Sequence, residues 1–64
     1  MSPRELQVIS LVAQGMTNYE IGRKLFIAPS TVRSHLANSM EKLEACNRTN
    51  LVYLAMKKGL IQDD

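Results

Sequence analysis

The chain has 64 residues, so it holds one domain with a single small core and little room for an enclosed active site. Its 8 Lys and Arg against 6 Asp and Glu give a net charge of +2, short of a histone-like density but open to a polyanionic partner. One cysteine, Cys46, excludes an internal disulfide and favours a reducing compartment, and the absence of any run of ~18 apolar residues excludes a spanning helix.

Ser2-Pro3-Arg4-Glu5 predicts the start of a first helix. Ser2 can cap it, Pro3 suits the first helical position because its missing N–H needs no partner there, and Glu5 completes a capping box. Leu6, Val8, Ile9, Leu11, Val12 and Ala13 give this helix a broad apolar face, and Gly15 ends it in the left-handed conformation. A chain whose first helix starts this early is expected to be a very small free-standing protein or the end of a larger one.

Thr17-Asn18-Tyr19-Glu20 repeats the capping box for a second helix, with Ile21 and Leu25 turned to the core. Gly22 costs ~1 kcal/mol relative to alanine in mid-helix, so its presence predicts a close approach between helices. Arg23 and Lys24 fall in the last turn, where the helix dipole favours cations.

Pro29 opens a third helix after Ala28, a residue with no oxygen to cap with. Val32, Leu36, Met40 and Leu43 form its apolar stripe. The opposite face carries Ser30, Ser34, Ala37, Asn38 and Glu41, with Arg33 and His35 on its flanks. These outer residues are short, which lets the helix backbone come close to another surface. Only about three residues separate the second and third helices, so the two cross steeply as a helix-turn-helix. In that unit the second helix can enter a DNA major groove. Arg23, Lys24, Arg33, Lys42 and Arg48 concentrate positive charge in this middle stretch, against Glu41 and Glu44.

Asn47 caps a fourth helix running from Arg48 to about Lys58. Leu51, Val52, Leu54, Ala55 and Met56 make more than half of its circumference apolar. One face suits the first helix, and the rest suits a protein interface. Gly59 ends it, and Leu60-Ile61 folds back on the core. The expected fold class is all-α: four helices, no strands, one domain over residues 1–64. No metal-ligand spacing, nucleotide loop or catalytic pair is present, so neither an enzyme nor a bound cofactor is expected. Cys46 has no base or resolving thiol placed beside it by sequence.

Ser2-Pro3-Arg4-Glu5, Val8, Leu11, Ala13, Gly15, Thr17-Asn18, Glu20-Ile21, Leu25 and Ile27 share one register with the second half of the chain. There it runs through Thr31-Val32-Arg33, His35-Leu36, Lys42-Leu43, Asn47-Arg48-Thr49, Val52, Ala55 and Gly59-Leu60-Ile61. In these residues the chain resembles a LuxR-type (GerE-like) DNA-binding domain, the module at the C-terminus of many bacterial regulators. The resemblance implies that the third helix is the recognition helix and the fourth the dimerisation helix. It puts Arg33, Ser34 and Ala37, with Asn38 beside them, at base contacts, and Asn18, Tyr19, Ser30, Thr31 and Lys42 near phosphates. A dimer seam is expected at Leu51, Leu54, Ala55 and Lys58. The implied partners are double-stranded DNA, a second copy of the chain and an N-terminal regulatory domain in a longer chain. The implied setting is the cytoplasm, with no membrane.

Arg33 can pair bidentately with guanine and Ala37 can touch a thymine methyl group. Hydroxyls, Lys42 and a helix N-terminus can hold phosphates. Glu44 stands where that family usually ends the third helix with glycine, and Ala28 where it usually has a polar cap. The rival reading is a protein-interaction module that uses the apolar face of the fourth helix and has no DNA site of its own.

Overall fold

The structure is a computed structural model that describes residues 1–62. Helix α1 spans Pro3–Ala13, α2 Asn18–Leu25, α3 Pro29–Leu43 and α4 Arg48–Lys57, with no strand among the described residues. Both expected capping boxes form. Glu5 N donates to Ser2 Oγ at 3.2 Å while Ser2 N donates to Glu5 Oε1 at 3.0 Å. Glu20 N donates to Thr17 Oγ1 at 3.2 Å and Thr17 N to Glu20 Oε1 at 2.8 Å. Each box satisfies two backbone donors that a helix start leaves free. Asn47 Oδ1 accepts from Asn50 N at 2.8 Å, whereas Ala28 gives α3 no side-chain cap.

The C-termini of α1 and α3 close with the same pair of backbone bonds on different residues. After α1, Gly15 has φ +88, and its N–H and that of Met16 reach back to Val12 O and Leu11 O. After α3 the left-handed residue is Glu44, at φ 55, with Ala45 N donating to Met40 O at 2.9 Å. The glutamate thus adopts the conformation that glycine would take without steric cost. Phe26 does the same after α2, at φ 60, which the residue type did not predict. Helix α4 ends at Lys57 with Lys58 as its cap, in keeping with the expected end at about Lys58, and Gly59 follows at φ +72.

Val8, Ile9 and Leu11 of α1, Ile21 of α2, Val32 and Leu36 of α3, Leu51 and Ala55 of α4, and Ile61 form one buried cluster. Burying such a leucine or isoleucine is worth ~1.5–3 kcal/mol each. The expected stripe of α3 holds at Val32 and Leu36, while Met40 and Leu43 lie at the half-buried margin. Ser39 is fully buried beside it, which apolar spacing did not predict. Its hydroxyl donates to His35 O at 2.7 Å, so the core holds no unpaired oxygen there.

The close approach expected at Gly22 comes from the turn backbone. A β-carbon there would lie 2.6 Å from Ile27 O, so the residues leading into α3 lie directly on α2. That contact brings the start of α3 close against α2.

Candidate nucleic-acid interface

Helix α3 turns Val32, Leu36 and Ser39 inward, and its other side is the most open helical face of the chain. Ser30, Thr31, Arg33, Ser34, Ala37, Asn38 and Glu41 are all exposed. Arg33 forms no ion pair among the described residues, so its forked donors are available. Ser34 Oγ donates to Ser30 O at 3.2 Å, which commits its proton to the helix and leaves its oxygen to accept. Ala37 offers a methyl group and Asn38 an amide with both functions.

The start of α2 lies beside this face. Asn18, Arg33 and Arg48 line one concavity together with Leu36, Met40 and Leu51. Tyr19, the next residue of α2, is exposed, with the Arg23 guanidinium 5.9 Å from its ring centroid. The ring and the cation therefore form one amphipathic surface.

Two of the expected phosphate residues are already engaged within the chain. Lys42 Nζ donates to Glu5 Oε1 at 2.8 Å, joining α3 to α1. An ammonium has three donors, and the Lys42 side chain is half exposed, so part of its capacity still faces solvent. The Glu5 oxygen also accepts from Ser2 N and Ser2 Oγ. The Lys42 ammonium, and after it the Ser2 N–H, hold the Glu5 carboxyl far below its ordinary value, at about 2, against the opposing effect of burial. Asn18 is the second engaged residue: Arg48 Nη1 donates to its Oδ1 at 2.6 Å, and Arg48 Nη2 donates to Met16 O at 2.9 Å.

The seam expected on α4 is partly overturned. Leu51 and Ala55 have no exposed surface, because the helix turns them into the chain's own core. Neither side chain can also meet a second chain. Leu54 stays half exposed and Lys58 exposed. Tyr53, absent from the expected set, is 57% exposed, with the Lys57 ammonium 5.9 Å from its ring centroid. Arg48 was missed as a site residue altogether. Its place in the basic middle stretch and in the Asn47-Arg48-Thr49 match marked it, as did a cation at the first position of a helix, where the dipole opposes it.

Four short helices with an open, short-chained third helix crossing the second define a helix-turn-helix domain. The family model for bacterial regulatory proteins of the luxR family, GerE, matches residues 1–55. The chain therefore belongs to the luxR family of bacterial regulatory proteins, a family of regulators and not of enzymes. It is 39% identical over 61 residues to the transcriptional regulatory protein LiaR of Bacillus subtilis, covering 95% of this chain and 29% of LiaR. It is 41% identical to the oxygen regulatory protein NreC of Staphylococcus carnosus, over 95% of this chain and 28% of NreC. To the transcriptional activator protein BjaR1 of Bradyrhizobium diazoefficiens it is 44% identical, over 95% of this chain and 25% of BjaR1. The chain thus spans less than a third of these relatives. A solved structure of the transcription factor GerE superposes with a TM-score of 0.96 at 25% identity, covering 100% of this chain and 96% of that one. No helix among the described residues is long and apolar enough to cross a membrane.

Proposed function

We propose that this chain is the sequence-specific DNA-binding module of a bacterial transcription regulator. It works as a homodimer on an inverted repeat, with α3 of each copy in the major groove of one half-site. The observation that carries this reading is the outer face of α3, where an unpaired Arg33 stands among exposed residues too short to hold the helix away from a groove. Base edges are read by Arg33, Ser34, Ala37 and Asn38. Phosphates are held by Asn18, Tyr19, Ser30, Thr31 and the unused donors of Lys42. Such contacts fix the register of the helix without reading sequence.

Two copies pair along the outer side of α4 through Leu54 and Lys58, with Tyr53 adding exposed aromatic area. This sets the half-sites about one helical turn apart. The target places the module in the cytoplasm, and a regulatory domain N-terminal to it in a longer chain would supply the signal. The burial of Leu51 and Ala55 weighs against the interaction-module reading, since it removes much of the apolar face that reading needs.

Selection from a randomised duplex pool at near-physiological salt tests the proposal. Enrichment of an inverted repeat is expected. Binding without enrichment would limit the chain to phosphate contacts, and no binding at low salt would return the interaction module to first place. On a selected site, Arg33→Ala should cost ~1–3 kcal/mol and relax preference at one base position. An unchanged preference at every position would remove Arg33 from base reading.

A further inference from the structure

Arg48 opens α4 at the end of a helix where a cation is least favoured, and its side chain leaves that helix. The guanidinium spans two acceptors at the entry to α2: Met16 O at 2.9 Å and Asn18 Oδ1 at 2.6 Å. A guanidinium has donors and no acceptor, so only the oxygen of the Asn18 amide can face it. That single constraint orients the whole amide. The Asn18 Nδ2–H groups donate to nothing among the described residues, and Asn18 is the first residue of α2, beside the unpaired N–H groups of that helix start. An asparagine without this clamp could present its oxygen as readily as its nitrogen, and the oxygen repels a phosphate.

We infer that Arg48 is a positioning residue for DNA: by holding Asn18 Oδ1 it presents the Asn18 amide N–H to a backbone phosphate. Resting on the DNA-binding reading above, it adds that a residue of the fourth helix sets the phosphate contact of the second. Arg33 lines the same concavity, which puts the held amide beside the base-reading residue.

Phosphate contacts do not depend on sequence, so a mixed-sequence duplex at low salt is a sufficient probe. Binding is compared for the parent chain, Asn18→Ala, Arg48→Lys and the double variant. Lysine keeps the charge of Arg48 but lacks the fork that reaches both acceptors. Each single variant should bind about tenfold more weakly, the worth of one hydrogen bond, and the double variant no more weakly than either single. Additive losses would overturn the inference, because Arg48 would then act without Asn18. Single variants that bind as well as the parent would also overturn it. A parent chain that fails to bind the duplex would sink the DNA-binding reading and the inference together.

A second readout needs no DNA. In NMR of the free chain, the Asn18 side-chain amide should be ordered in the parent and mobile in Arg48→Lys, with the backbone order of α2 unchanged. Equal order of that amide in the two proteins would overturn the inference even if affinity fell.

Discussion

Two polar ties join helices that are distant in sequence, and they are built differently. The first links Glu5 of α1 to Lys42 of α3, and the second links Arg48 of α4 to Asn18 and Met16 at the entry to α2. In the first, a carboxylate only 3% exposed collects three donors on one oxygen. Its charge is needed, because a buried carboxylate is tolerated only when paired and hydrogen-bonded. In the second, a half-buried guanidinium meets two neutral acceptors, so no acid titrates. The first tie makes stability depend on pH, and the second fixes the geometry at the entry to α2, beside the open face of α3.

The largest effect separating the two ties is expected on acidification. The Glu5 carboxyl lies at about 2 in the folded chain against an ordinary 4.5, so its contribution is fully present above about pH 4.5 and is lost as pH falls towards 2. The loss should be ~2 kcal/mol, reduced from the full linkage value because water screens the half-exposed Lys42. Glu5→Gln should remove a similar amount near neutral pH and flatten the acid limb in a denaturant titration. An acid limb as steep as the parent's would show that another carboxylate governs it.

Lys42→Ala should cost ~1–1.5 kcal/mol, less than the change at Glu5, because the two Ser2 donors remain. If Lys42 also reaches a phosphate, the same variant should lower the slope of log affinity against log salt by about one. An unchanged slope with lowered stability would make Lys42 a member of the first tie alone. Arg48→Lys should cost ~1 kcal/mol at any pH between 2 and 7, since neither of its acceptors titrates there. A pH-dependent loss would mean that the two ties are coupled.

The smallest effect is a gain. Glu44 holds φ 55 just after the turn of α3 that carries Lys42. Glu44→Gly should stabilise the chain by ~0.5–1 kcal/mol by relieving the crowded β-carbon. A loss measured by thermal melting would mean that the Glu44 side chain makes a contribution larger than its backbone strain.

Local chemistry made much of the fold readable from sequence. Ser2 with Glu5 and Thr17 with Glu20 fixed two helix starts, Pro29 fixed a third, and the spacing of Val8, Ile9, Ile21, Val32 and Leu36 marked the inward faces. Each of these signals lies within a few residues of its effect. The open face of α3 was legible for the same reason, since an outward face is the complement of an apolar stripe. The seam on α4 was less so: the helix is apolar on most sides, and its residues alone do not say which side its own chain will cover. Leu51 and Ala55 were assigned outward on that ambiguity, and Ser39 was not expected inside because a hydroxyl carries no apolar signal.

The sequence by itself determined where the helices start, which family they form and which face of α3 stands open, because capping and periodicity act over one or two turns. Only the tertiary structure decided that Glu5 meets Lys42 and that Arg48 meets Asn18. The two side-chain pairs are 37 and 30 residues apart along the chain. Hydrogen bonds across such separations depend on how helices cross, and a crossing is set by side-chain packing between elements that no single stretch of sequence contains.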